Sequence, residues 1–249
     1  MDELMRRVLE GARGAVAFMT LIPLGGTLNA VSLVVIPLTG LIVGGASLVG
    51  FWIGDRSGST LVGAVVALIV DAAMTRGLHY DAVADTADGL AGFVERERRL
   101  AIMDEPTVGA FAVLALIVVV LVRISAWSTI GFPAFLIGIF VLSRCMMALS
   151  MMWFPLAKES SLARVFASQR RHWIVWFLLL EGLLAVGAMI VLGTPMMLLA
   201  LVFGALCGLG VLAFAIHHLR GITGDVVGAV GLVAETGMLL AVAVMRIHG

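Results

Sequence analysis

Apolar residues run through long stretches of this chain, and polar residues gather in the gaps between them. Runs of roughly 18–24 apolar residues match helices that cross a bilayer. They fall at about 31–54, 57–75, 108–129, 133–153, 173–192, 195–216 and 226–245. Residues 3–22 differ. Arg6 and Arg7 precede an apolar stretch, but Asp2, Glu3 and Glu10 are interspersed and Pro23-Leu24-Gly25-Gly26 stops the run early. This pattern predicts an amphipathic helix at the membrane interface, or a short entry segment, and not a signal peptide. Pro37 and Gly44-Gly45 are candidate kinks in the first span, and Gly204, Gly208 and Gly210 have spacings that permit close helix contact in the sixth. No internal repeat or low-complexity linker divides residues 1–249. The expectation is one all-α integral membrane domain of about seven transmembrane helices plus an N-terminal interfacial helix.

Composition agrees. The chain is 61% hydrophobic and 13% charged, whereas soluble domains are about half apolar and about a quarter charged. The formal net charge of zero gives no bulk attraction for nucleic acid. Cys145 and Cys207 both lie in apolar runs, which predicts core or lipid-facing residues rather than a disulfide or metal signature. Charge placement is more informative. With the N-terminus inside, the segments on that side are the N-terminus, 76–107, 154–172 and 217–225, and they hold 12 of the 16 basic residues. The opposite side has only Arg56 and Arg246. This bias predicts a multi-pass protein of the cell membrane with its N-terminus and long polar loops in the cytoplasm.

The chemistry is concentrated in those loops. In Gly77-Leu78-His79-Tyr80-Asp81-Ala82-Val83-Ala84-Asp85-Thr86-Ala87-Asp88-Gly89, a helix would put Asp81, Asp85 and Asp88 at i, i+4 and i+7, on one face. N-cap and turn roles are the plain alternative. Three like charges on one face call for a counter-charge, and Mg²⁺ suits oxygen ligands shared with substrate phosphates. His79, beside them, is either a capping residue or a base or phosphate donor. The charge run 95–99 reads as a solvated helix face. The loop 154–172, with Lys158, Ser160, Ser161, Arg164, Arg170 and Arg171, suits either anchoring to anionic lipid or clamping of substrate phosphates. In Gly221-Ile222-Thr223-Gly224-Asp225, a tight turn opens a helix whose amides at Thr223 and Gly224 favour anions, and Asp225 either caps that helix or joins the acid cluster. Asp71, Arg123, Arg144, Glu181 and Glu235 lie in or at the ends of spans. There charge is a functional candidate by default. Arg144 and Glu235 either serve the site or pair with each other.

These residues carry a resemblance. Residues 77–89 resemble the motif G-L-H-x-D-G-L-A-D-x-x-D-G of the adenosylcobinamide-GDP ribazoletransferase (cobalamin synthase) family. The likeness continues through Glu97-Arg98, Ile102-Met103-Asp104 and Val108-Gly109, and recurs at 221–229, where the family has G-x-T-G-D-x-x-G-A, followed by Glu235. Phe18-Met19-Thr20-Leu21-Ile22-Pro23 resembles the family's F-x-T-R-x-P. Ala82 stands at a usual glycine, Leu21 at a usual arginine and Glu105-Pro106 at a more polar pair.

The resemblance implies an Mg²⁺-dependent transferase late in cobamide assembly. It would join α-ribazole, or its 5′-phosphate, to adenosylcobinamide-GDP and release GMP. It further implies Asp81, Asp85 and Asp88 as metal ligands, with Asp104 and Asp225 as additions. Asp88 or His79 would accept the hydroxyl proton, and Arg98, Arg144 and Arg164 would contact the diphosphate. Oligomeric state, a homo-oligomer included, stays open. Other membrane phospho- or prenyltransferases share part of the acid pattern, but a second DxxxD is missing here. A cation-coupled transporter would place acids at mid-membrane in repeated halves, and here the largest cluster of acids, seven of the 16, falls in one loop segment, 76–107.

Overall fold

The computed structural model describes residues 2–158 and 172–248. It is helical throughout that range: α1 Asp2–Met19, α2 Ala30–Asp55, α3 Thr60–Met74, α4 Leu78–Ala91, α5 Arg96–Met103, α6 Ala110–Ile130, a 3₁₀ turn Ala134–Leu136, α7 Ile137–Trp153, α8 His172–Leu192, α9 Met197–Leu219 and α10 Gly224–His248. Among the described residues, six helices are long and apolar enough to cross a membrane. They are α2, α6, α7 with its 3₁₀ turn, α8, α9 and α10.

The expected span at 57–75 is realised differently. α3 has only 15 residues, about 22 Å at the helical rise, against a hydrocarbon core of about 30 Å. It is followed at once by α4, turned 86° away from it, and the pair makes a seventh crossing only if counted as one bent unit. The bend is built by Arg76 and Gly77, which both take left-handed backbone (φ 54° and 71°). Their amides close the end of α3 on Ala73 O (3.1 Å) and Ala72 O (2.7 Å). Glycine adopts this conformation freely. Arg76 does not, at a penalty of about 1–3 kcal/mol, and its guanidinium is held by donating to the carbonyls of Ala17 and Phe18 at the end of α1. The N-terminal helix therefore fastens the turn that aims α4 across the bundle end.

α10 is the central element, packed against α4, α6, α7 and α9. Its close approach to α4 depends on Gly228, where a Cβ would stand 2.6 Å from the Ala82 Cβ. Ala82 thus faces a glycine, which is why it is tolerated at a position where the resembled motif has glycine. Gly204 and Gly208 of α9 approach α10 as their spacing predicts: a Cβ on Gly204 would stand 2.6 Å from the Ala234 carbonyl and one on Gly208 3.0 Å from that of Val230, whereas one on Gly210 would meet nothing within 4 Å. Asn29 begins α2 by accepting from the Val31 amide while Ser32 Oγ accepts from the Asn29 amide. Both cysteines are free, as expected.

Four of the five in-span ionisable residues meet in one buried cluster. Arg123 donates to Asp71 Oδ2 (2.9 Å) and Glu235 Oε1 (2.8 Å). Arg144 and Ser143 donate to Glu235 Oε2 (3.2 and 2.8 Å), and the Tyr80 hydroxyl donates to Asp71 Oδ2 (2.7 Å). Two cations and two anions balance, so the cluster ties α3, α4, α6, α7 and α10 together with no net buried charge. Glu181 is not a member and lies half-buried on α8.

Candidate active site

Residues 78–91 are helical, so Asp81, Asp85 and Asp88 do share one face of α4. Asp81 is exposed, and Asp85 and Asp88 are half-buried. Asp88 is committed: its two carboxylate oxygens accept from the amides of Gly109 (2.6 Å) and Ala112 (2.9 Å). It caps α6 from across the sequence, at the end where a helix favours negative charge. The side chains of Asp81 and Asp85 make no hydrogen bond or ion pair with another described residue.

Asp104 follows α5, and its carboxylate pairs with Lys158, so the start of the basic loop folds onto the acid segment. That loop is also joined to the Thr-Gly-Asp turn. The Ala157 amide donates to Ile222 O and the Ile222 amide to Pro155 O, both at 2.9 Å. Thr223 caps α10, its hydroxyl accepting from the Val226 amide (3.2 Å) and donating to Asp225 (3.4 Å). Asp225 therefore lies in the first turn of α10 and is not the cap; Gly224 beside it is exposed.

The carboxylates act on one another. Burial, then the charges of Asp81, Asp225, Asp88 and Asp104, pushes the Asp85 carboxyl up to about 6. A site this unfavourable to its own anions suits a cation, and all five donors are oxygens, as Mg²⁺ prefers. The residues thus fit a hard divalent ion by chemistry and field. Among the described residues, though, no three acid, histidine or cysteine side chains already converge to metal-holding distance.

His79 is 4% exposed, on the face of α4 turned inward. Burial, then Arg144, holds its imidazole down to about 3, so it is neutral at physiological pH. Its Nε2 has no hydrogen-bond partner. Arg144 is fully buried with Glu235 and the Phe140 carbonyl. Arg98 is exposed and paired with Glu105 (2.6 Å). Arg164, with Ser160, Ser161, Arg170 and Arg171, lies outside the described residues.

The run 95–99 is only partly the solvated face expected. Arg99 is buried and donates to the carbonyls of Leu90 (2.8 Å) and Gly89 (3.3 Å), closing the C-terminal end of α4. Arg96 donates to Leu219 O (2.7 Å) and to Ala157 O. Two arginines read as solvent-facing are fasteners around the acid helix. Arg96, Arg99 and Met103 recur at one helical face, but that spacing alone does not separate an inward arginine from a solvated one.

The described residues form a multi-pass helical bundle of an integral membrane protein, with an acid-faced helix, Lys158 and a helix N-terminus gathered at one end. The chain belongs to the cobalamin-5-phosphate synthase family, whose profile matches residues 11–243. It is similar to proteins named adenosylcobinamide-GDP ribazoletransferase. One from Bradyrhizobium diazoefficiens is 32% identical, covering 98% of this chain and 97% of that protein. One from Herpetosiphon aurantiacus is 30% identical over 94% and 96%, and one from Chlorobaculum tepidum is 32% identical over 95% and 96%. No solved structure matches. The protein is a transferase of late cobalamin biosynthesis, and the partial likeness to other membrane phospho- and prenyltransferases gives way to that family.

Proposed function

We propose that the acid face of α4 is the reaction centre for Mg²⁺-dependent transfer of the adenosylcobinamide-phosphate group of adenosylcobinamide-GDP to α-ribazole or its 5′-phosphate. A ribose hydroxyl forms a bond to the phosphorus on the cobinamide side, the diphosphate P–O bond breaks, and GMP leaves. The observation that carries this reading is geometric: Asp81 and Asp85 share one face of α4 without a hydrogen-bond or ion-pair partner among the described residues, with Asp225 in the first turn of α10 close enough to raise the Asp85 carboxyl. A face on which two of the carboxylates have no such partner is suited to a divalent cation and to the phosphates it accompanies.

Asp81, Asp85 and Asp225 would hold Mg²⁺, with Asp104 and Asp88 at the margin of the set. When bound, the ion supplies neutralisation of the diphosphate and of the departing GMP. The exposed start of α10 at Gly224 offers amides suited to a phosphate, and Arg98 and Arg164 are the candidate cations. Arg144 serves from beneath, through Glu235, as a positioning residue. The two candidates for the hydroxyl proton fare less well than the metal set. His79, at about 3, is a poor base near neutral pH, and Asp88 already accepts from two amides. The basic bias of the α4 and α5 end supports a cytoplasmic placement of this site.

The test is an end-point assay with purified protein in detergent, Mg²⁺, adenosylcobinamide-GDP and α-ribazole 5′-phosphate, repeated with α-ribazole. Corrinoid product and GMP in equal amounts, both lost with EDTA and restored by Mg²⁺, is the expected result. GMP release without corrinoid product, or turnover indifferent to EDTA, contradicts it.

A further inference from the structure

The first half of α1 encloses a hollow of about 490 Å³ against the starts of α2 and α8. Both of those helices are spans, so the hollow lies at the level where the chain enters the apolar layer. Leu4 and Val8 of α1 and Val31 of α2 give it an apolar wall, and Trp173 of α8 completes it. Tryptophan favours that depth, where its indole body meets acyl chain and its N–H meets headgroup. Leu4, Met5 and Leu9 are more than half exposed. A helix with such a surface beside charged residues lies in the interface.

Two opposite charges line the same hollow, about one helical turn apart on α1: Arg7 and Glu10. They do not pair with each other. Arg7 donates from Nε to Glu3 (2.9 Å), and among the described residues its two terminal guanidinium nitrogens have no partner. Glu10 accepts at Oε2 from the Thr27 hydroxyl (3.2 Å), and its Oε1 has no partner among those residues. The backbone that carries both is pinned to the start of α2. The Asn29 side-chain amide donates to the Arg7 carbonyl (3.0 Å), and the Ser32 hydroxyl donates to the Gly11 carbonyl (2.8 Å). A Cβ at Gly11 would run into the Asn29 side chain, so glycine permits this approach.

We propose that this hollow seats the head of an ethanolamine phospholipid, with Arg7 donating to its phosphate and Glu10 accepting from its primary ammonium. A guanidinium offers a phosphate two parallel N–H groups, and a carboxylate one turn away matches the charge at the other end of the same head. A phospholipid without an ammonium would leave Glu10 beside a phosphate with nothing to offset it. A choline head has a quaternary nitrogen and no N–H to give. The apolar wall and Trp173 select a lipid over a soluble zwitterion, because only the lipid lays glycerol and acyl chain along them. None of these residues takes part in the transfer proposed above. The seat is nevertheless joined to it, since α1 ends at the Ala17 and Phe18 carbonyls that hold Arg76 and the turn into α4.

The test uses the full chain, stripped of lipid in detergent. Phosphatidylethanolamine, phosphatidylcholine and phosphatidylglycerol of one chain length are titrated in, and binding is read by native mass spectrometry and by the rise in melting temperature. The parent should bind phosphatidylethanolamine on the order of tenfold tighter than either of the others. Glu10→Gln, which keeps an acceptor for Thr27, should erase the preference over phosphatidylcholine. Arg7→Gln should weaken phosphatidylethanolamine by on the order of tenfold. Equal affinity for the three lipids, or a preference that survives Glu10→Gln, overturns the proposal. So does tighter binding of phosphatidylglycerol, which would mark a seat for anionic lipid. O-phosphoethanolamine competing as well as the intact lipid also overturns it and would mark a site for a soluble zwitterion. The ranking in the parent needs no variant, so it decides the matter even where a substitution fails to fold.

Discussion

Asp85 and Asp88 stand three residues apart on one helix face and do different work. Asp88 gives both oxygens to the start of α6, so Asp88→Ala should lower stability by about 0.5–2 kcal/mol, read from denaturant or thermal unfolding in detergent. Asp85 has no such partner, and its carboxyl rises from 3.8 to about 6. A carboxyl raised in the folded state binds its proton more tightly there than in the unfolded chain. It therefore stabilises below about pH 4 and loses that contribution as pH climbs through 6. In EDTA, Asp85→Asn should unfold at a higher temperature than the parent at pH 7, with the gap closing or reversing near pH 4. A parent more stable than the variant at pH 7 without divalent cation would mean Asp85 is not electrostatically frustrated. The spacing of the three acids was legible in the sequence because helical periodicity alone fixes it. The commitment of Asp88 was not, since its partners lie more than twenty residues away and depend on how α4 meets α6. The inward turns of Arg96 and Arg99 were likewise hidden, because a dense run of charge looks the same whether its arginines reach solvent or a neighbouring carbonyl.

Among the elements, α4 is held by its surroundings rather than by its own length. Gly77 and Arg76 set its direction, Arg99 closes its far end, and Gly228 lets it lie against α10. Gly228→Val would meet Ala82 and push α4 off α10, at about 1–3 kcal/mol for overpacking, so transfer activity should fall before the fold is lost. The comparison of activity with melting temperature checks this; activity and stability falling in step would mean general unfolding. The charge cluster is a second fastening. Arg123→Met leaves Asp71 and part of Glu235 buried without their partner, and should destabilise by about 3–5 kcal/mol. Apolar runs announced the long helices because a bilayer demands about twenty such residues. The same logic found the helix within 57–75 but not its bend: a 15-residue helix turns sharply into α4, and the two make a seventh crossing when counted as one bent unit. Glycine at position 77 hinted at the turn, but left-handed backbone at Arg76 carries no sequence signal and is stabilised only by carbonyls of α1.

At the scale of the molecule, α10 joins both halves of the design. Its first turn carries Asp225 beside the acid helix, and its middle carries Glu235 in the buried cluster. That continuity places a charge-balanced core directly under an acid surface, so the bundle supplies rigidity below and the unsatisfied charge remains above. The overall class was legible from hydropathy, basic-residue bias and three separated motifs. The convergence of the loops at 104, 158 and 222 on α4 was not, because it rests on single long-range pairings. The most direct measurement is the Mg²⁺ dependence of product and GMP formation by the parent and by Asp85→Asn, with the fold of each checked by thermal unfolding. The parent should be silent in EDTA and recover with Mg²⁺, and folded Asp85→Asn should lose on the order of a hundredfold or more of transfer at saturating Mg²⁺. Full activity in folded Asp85→Asn, or a parent indifferent to Mg²⁺, would contradict the assignment of the acid face as the metal-dependent reaction centre.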